Sequence, residues 1–497
     1  MNAVPNDHIG LMQFAPPRRD RPLGNELAAP RPLYFVYLPL VLVLSFTGVV
    51  AWVVGSEVAT VIGSFVGSLV GLYLLWDWLI KGGGTRFSTL IPMGLLIGYC
   101  LGSFNTWATT TRNGISLGEF TGNDDAVLAR GVAAVLISCA ISIFFGEIFE
   151  RPLFGRDFKL HLDDRLYTLI YFGTLLVLAS FVTGGSASGT ADGGAGGAGV
   201  IKSFISWITP SLVVMSVSIF LLTPRGGLRK ILIGGAALLL LVSSIVLGRR
   251  VLIYTVMETI FFARLVGIRI KGSIPKKVAI FASVGAFVAF GALGFMLLRI
   301  AGYGGPNTHR SLFQKIVIAS EWVKEGSAFD KAVSSTQSNV KTRTFVIAFF
   351  ANVLDASSRS TPGLGTDTIG LVQLGIPSAL YPEKDKFFNE EHLVDSLYGF
   401  SYGDEASSIL TAGATDFGLL GVLTFPVIMA WIIRVTLEFM SWRLNQGSTL
   451  IVILMVIYVT IQAEGTLTGY VDSLFYGILF SVVFVLFFAL PRIRLRN

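Results

Sequence analysis

What most constrains this chain is the number of its long apolar runs. Stretches near 33–54, 57–80, 88–105, 127–149, 166–183, 204–222, 231–248, 251–268, 278–299, 412–437, 448–465 and 470–491 are each mostly apolar and hold roughly 20 residues, enough to cross the hydrocarbon core of a bilayer. In hydrocarbon every backbone N–H and C=O must find its partner inside the protein, so such runs fold as helices. The expectation is an all-α polytopic membrane protein with about 12 transmembrane helices and one large extracytoplasmic loop. Charged residues make up 14% of the chain, against about 25% in soluble domains. The first 31 residues are polar and rich in Pro and Arg, so no cleavable signal peptide is expected there.

The basic residues set the orientation. Arg18, Arg19, Arg21 and Arg31 precede the first run; Lys81 and Arg86 follow the second; Arg151, Arg156, Lys159 and Arg165 follow the fourth. Arg225, Arg229 and Lys230, then Arg269, Lys271, Lys276 and Lys277, and finally Arg492, Arg494 and Arg496 continue the alternation. By the positive-inside rule these segments are cytoplasmic, as are both termini. The organisation expected is a cytoplasmic tail 1–31, nine spans over 32–299, an outer loop 300–411, three spans over 412–491 and a cytoplasmic tail 492–497. The 38 Lys and Arg against 31 Asp and Glu therefore reflect topology, and no nucleic-acid partner is implied.

Two features break the pattern. Arg249 and Arg250 stand side by side between the seventh and eighth runs, on the outer face where the rule disfavours cations. They are either snorkelling end-caps or functional charges. The loop 300–411 is too long to be a simple connection. It holds an amphipathic stretch, SLFQKIVIASEWVKEG, and two short apolar runs, TFVIAFFANVL (344–354) and TIGLVQLGIPSAL (368–380), too short to span and expected to dip into the membrane or lie on it. Its 9 Lys and Arg against 12 Asp and Glu give a net charge of −3, so any anion would be held by chosen arginines: Arg310, Arg343 and Arg359 in the loop, with Arg249 and Arg250.

Familiar signatures are missing: there is no GxxxxGK[ST], CxxC, HExxH or GxSxG. Cys100 and Cys139 lie inside apolar runs and read as small buried hydrophobes. No metal site and no cofactor are expected. Many spans, one large outer loop and outward arginines suit an enzyme acting on a lipid-linked substrate; they also suit a transporter.

IPSALYPEKDKFFN (376–389) followed by SSILTAGATDFGLLGVL (407–423) resembles the end of the large outer loop in Wzy-type repeat-unit polymerases of O-antigen, capsule and exopolysaccharide. In those proteins an Ile-Pro and an aromatic-Pro-x-Lys, here ending on Lys384, precede a Phe-Gly-x-x-Gly at the start of the next span. The LGRR pair before the eighth run also resembles a Gly-Arg element of that family. Many relatives carry a Gly-Glu before the Phe-Gly; here Thr411 and Ala412 stand in its place, and the nearest carboxylates are Asp404, Glu405 and Asp416.

The resemblance implies a glycosyltransferase of the bacterial inner membrane. It would move a growing glycan from its polyprenyl diphosphate onto a fresh polyprenyl-diphosphate-linked oligosaccharide in the outer leaflet. It also implies cooperation with a flippase and a chain-length regulator. Negative charge develops on the departing diphosphate, and fixed guanidinium groups stabilise it. Arg249, Arg250, Arg310, Arg343 and Arg359, with Lys384, are the candidate diphosphate-binding residues. His309, His392, Asp404 and Glu405 are candidates for the base that takes the acceptor hydroxyl's proton, as is Asp416. Tyr402, within the aromatic cluster 398–402, is the candidate for stacking on sugar. An O-antigen-type ligase shares this logic. A transporter or flippase of lipid-linked sugars is the alternative of another class; it would show internal repeats and charges in mid-span, and the charges recognised in the sequence lie at the outer interface and in the loop.

Overall fold

The computed structural model describes residues 36–81, 86–150, 164–182, 197–223, 227–247, 249–265, 273–302, 312–331, 346–376, 381, 394, 396–400, 407–443, 446–462 and 465–489. The chain divides into Met1–Val36, of which only Val36 is described, and a body, Tyr37–Asn497. The body is all-α, with no strand among the described residues. In order the helices are α1 (Leu38–Val54), α2 (Glu57–Lys81), α3 (Phe87–Leu95), a π-helical turn (Leu96–Leu101) and α4 (Gly102–Arg112). Then come α5 (Leu117–Thr121), α6 (Asp125–Phe149), α7 (Asp164–Val182), α8 (Gly197–Leu222), α9 (Leu228–Leu247) and α10 (Arg249–Leu265). The last are α11 (Ile274–Gly302), α12 (Leu312–Lys324), α13 (Val346–Arg359), α14 (Thr366–Gly375), α15 (Ile409–Arg443), α16 (Gln446–Thr460) and α17 (Leu467–Ala489).

Among the described residues six segments are long and apolar enough to cross a membrane: Glu57–Trp78, Phe87–Arg112, Asp125–Phe149, Leu228–Ile245, Ala282–Ala301 and Ile409–Phe439. Shorter apolar helices lie at Leu38–Val54, Tyr167–Ser180, Ile208–Leu222, Val251–Ala263 and Leu467–Val482.

The fold is organised around α6, which is apolar on all sides and packs against α1, α2, α3, α13 and α15. Its polar atoms repair its neighbours' backbones. Pro92 in α3 and Pro426 in α15 lack an N–H, which strands the carbonyl four residues earlier in each helix. Those carbonyls belong to Ser88 and Val422. Ser142 donates to Ser88 O at 3.2 Å, and Ser138 donates to Val422 O at 2.7 Å. Both serines are wholly buried. The free cysteines behave as the sequence predicts, enclosed in the same core.

Carboxylates near the helix ends have a second structural role. The first N–H groups of a helix lack intrahelical acceptors and sit at the positive end of its dipole. Glu150 accepts from Phe87 N (2.7 Å) and Ser88 N (2.9 Å), capping α3 from the end of α6. Glu147 accepts from Tyr37 N at 2.8 Å, and Glu57 from Leu117 N at 2.9 Å. Tyr37 also donates its hydroxyl to Asp77 at 2.7 Å.

In the region read as a large loop, the short apolar runs form α13 and α14. α14 packs against α15 and α17 and leaves Ile369 and Val372 exposed, while α13 is buried on nearly every side between α6 and α15. The reason is size. Phe349, Phe350, Val353 and Leu354 share the main hydrophobic core with α3 and α6, so this segment buries its apolar residues without needing the length to span. α12 packs instead on the end of α11, where Trp322 and Ala319 meet Phe295 and Met296.

Candidate functional site

α15 is two helical arms joined at a sharp bend. Gly418 has φ 59° and ψ −141°, a conformation closed to other residues, and the first arm folds back so that Gly421 lies against the backbone of Gly413. This gives the Phe-Gly-x-x-Gly stretch, Phe417 to Gly421, a physical meaning. One glycine permits the bend and the other lets the arms touch.

A bent helix end strands its last carbonyls, and the neighbouring turn supplies their donors. Gly363 N reaches Thr415 O and Leu364 N reaches Asp416 O, both at 2.9 Å. The Tyr398 hydroxyl also donates to Thr415 O at 2.9 Å. Leu364, at φ 50°, is the one described non-glycine residue with positive φ, a strained conformation held by these bonds. In return the carboxylate of Asp416 caps α14, accepting from Asp367 N (2.9 Å) and Thr368 N (2.7 Å). Tyr99, in the π-helical turn, hydrogen-bonds Ser408 just before the first arm.

Beside this bend lies a charged cluster. Asp355 on α13 pairs with Arg359 one turn on (2.6 Å) and with Arg130 of α6 (3.7 Å). The side chain of Asp355 is 15% exposed, Arg130 41% and Arg359 71%. Among the described residues, two guanidinium groups thus share one largely buried carboxylate, leaving one positive charge over. Arg130 and Ile137 are seven residues apart, on the same face of α6, about 10 Å along the helix. Ile137 lines an apolar groove of about 240 Å³ with Val49, Trp52 and Val53 of α1 and Leu419 and Leu423 just past the bend.

Of the residues expected from the sequence, Arg359 belongs to this cluster. Arg249 and Arg250 begin α10; their side chains lie outside the described residues. His309, Arg310, Arg343, Lys384, His392, Tyr402, Asp404 and Glu405 also lie outside them. Asp416 is corrected: it is fully buried and both oxygens are taken by backbone N–H groups, which makes it a structural cap and no base. In the aromatic cluster, Tyr398 and Phe400 pack against the main core with ring centroids 6.0 Å apart. They are anchors. Burial, with the negative charges of Asp367 and Asp416 nearby, pushes the Tyr398 hydroxyl up to about 12, so it remains a donor.

Arg130 and Asp355 escaped the sequence reading. Arg130 falls inside a run counted as a span, and its charge three residues into that run was the available signal. Glu258 was also overlooked. It sits in the middle of α10, wholly buried, against the expectation that charges avoid mid-span.

These residues define an all-α membrane protein with a charged, strained cluster at one end of its central helix. No family model, curated protein or solved structure matches the chain.

Proposed function

We propose that this protein is a membrane glycosyltransferase that polymerises polyprenyl-diphosphate-linked oligosaccharide repeat units on the outer face of a bacterial inner membrane. In this reading it has twelve spans, formed by α1, α2, the α3–α4 unit, α6 to α11 and α15 to α17, with both termini cytoplasmic and the segment carrying α12 to α14 on the outer side. The observation that carries it is the Arg130–Asp355–Arg359 cluster placed about 10 Å along α6 from an apolar groove. A lipid diphosphate is the ligand that needs both: cations for its head and an apolar channel for the start of its chain.

The chemistry follows from where charge develops. As the glycosidic bond to the diphosphate breaks, its electron pair passes to the leaving phosphate oxygen. Guanidinium groups fixed there bind the leaving group more strongly than the intact substrate, which is the condition for catalysis. Arginine fits because it stays charged and offers two parallel N–H bonds to phosphate. Asp355 holds the two guanidiniums together and prevents them from repelling each other. Arg249 and Arg250 would add charge at the outer end of α10, with Arg310, Arg343 and Lys384 from the loop. His309, His392, Asp404 and Glu405 remain the candidates for taking the acceptor hydroxyl's proton, and Tyr402 for stacking on sugar. A flippase and a chain-length regulator are the partners such an enzyme would work with.

The test is a reconstitution in liposomes with a polyprenyl-diphosphate-linked repeat unit and no nucleotide sugar. A product ladder spaced by whole repeat units, lost in Arg130→Ala, is the expected result. No ladder with an authentic unit would refute the polymerase. A second reading, a transporter of lipid-linked sugars, is favoured by one observation, the buried mid-helix Glu258; flux of the same lipid without ladder formation would establish it.

A further inference from the structure

Glu57, Glu147, Glu150, Asp77 and Asp416 accept hydrogen bonds from backbone N–H groups near helix starts or from a tyrosine. Glu258 does not. It is the tenth residue of α10, roughly 14 Å along the helix from Arg249, and its side chain has no exposure at all. Among the described residues neither carboxylate oxygen has a hydrogen-bond partner, and one turn before it the hydroxyl of Thr255, equally buried, has none either.

Among the described residues, the surroundings offer no compensating charge. α10 packs against α2, α8, α9, α11 and α16. Among the described residues the titratable groups beside Glu258 are Tyr254 on its own helix and Tyr458 on α16, whose rings meet edge to face at 6.2 Å. On α8, Met215 shares a core cluster with Phe262, one turn past Glu258, and the hydroxyls of Ser211 and Ser218 are buried without partners among the described residues. Among the described charged groups of the other helices, Asp77 on α2 accepts from Tyr37, and on α9 Arg229 lies over the Tyr167 ring while Lys230 donates to Thr223 O. Lys276 and Arg299 lie toward the two ends of α11. None of these forms an ion pair with Glu258.

An ionised carboxylate so enclosed, in a helix surrounded by hydrocarbon and apolar side chains, is strongly disfavoured. A neutral acid costs far less to enclose. We propose that Glu258 is a proton-binding site inside the membrane, protonated while α10 is packed against α8 and α16, and that losing the proton loosens this seam. In that step the carboxyl O–H bond breaks, the electron pair stays on the oxygen, and the proton passes to water admitted between the helices. The inference stands apart from the polymerase reading, and its test uses no substrate.

The test is infrared spectroscopy of the full chain in nanodiscs at neutral pH, wild type against Glu258→Gln. The expected difference is one protonated carboxylic C=O band that shifts in heavy water and is absent from the variant. Raising the pH should remove the band and lower the melting temperature of the wild type, while Glu258→Gln keeps its melting temperature. Should the variant fail to fold, the wild type with ¹³C-labelled glutamate, titrated with base, reports the same band directly. Absence of any such band at neutral pH overturns the proposal. So does a band that disappears when choline is replaced by sodium at constant pH, which would make the site one for a metal cation.

Discussion

The pairing of Ser138 with Pro426 permits a sharp test of how this bundle is held together. Ser138→Ala removes the donor to Val422 O, 2.7 Å away, and leaves a buried carbonyl whose intrahelical partner Pro426 cannot replace. A buried polar group left without a partner costs about 1–3 kcal/mol. Hydrogen bonds between membrane helices measure lower, about 0.6 on average and up to about 1.7. The expected loss is therefore about 1–2 kcal/mol. In a Pro426→Ala background the residue at 426 regains its N–H, Val422 O regains its ordinary partner, and Ser138→Ala should then cost only a few tenths. The coupling between the two sites, about 1 kcal/mol, is read from a double-mutant cycle of equilibrium unfolding in bicelles. Equal costs for Ser138→Ala in both backgrounds would refute the idea that α6 serves as the donor to proline-broken helices.

Other predictions concern the bend and the charged cluster. Gly421→Ala drives a methyl group into the backbone of Gly413, and Gly418→Ala imposes a forbidden conformation; each should lower stability by about 1–3 kcal/mol, measured by thermal unfolding in detergent. Arg130→Ala should reduce ladder formation on the order of a hundredfold, and Arg130→Lys should recover part of it because charge remains while the two-pronged grip is lost; equal activity in all three proteins would remove Arg130 from the site. Tyr398→Phe should cost about 1 kcal/mol by losing the bond to Thr415 O. Because the folded protein raises the Tyr398 hydroxyl from 10 to about 12, that contribution should be complete below pH 10 and fade as the pH rises through 12, a trend visible in the unfolding difference between the two proteins.

Much of the architecture is legible in the chain itself. Apolar runs locate the helices, with the expected stretches 127–149 and 251–268 matching α6 and α10 closely. Their ends are less legible. The run read as 88–105 continues to Arg112 through a π-helical turn, and the run read as 412–437 begins at Ile409 and folds back at Gly418. A glycine in an apolar run looks the same whether it bends the chain, admits a neighbour or does neither. Arg359 was visible as a candidate because it lies in the segment read as the outer loop. Its partners were not, because Arg130 lies within a span 229 residues earlier and nothing local ties it to Asp355.

The sequence by itself determined that this is a helical membrane protein. Twenty-residue apolar runs have one way to satisfy their backbone in hydrocarbon, and the distribution of Lys and Arg predicts which loops face inward. The tertiary structure alone decided which face of each helix meets which neighbour. In water, burial leaves an apolar stripe that can be read; in a bilayer, lipid is as apolar as a leucine, so the stripe vanishes. α6 is apolar all round, and only packing turns Ser138 and Ser142 toward the stranded carbonyls, Arg130 toward Asp355, and α15 back upon itself at Gly418. The same packing encloses Glu258 with no charge among the described residues to answer it.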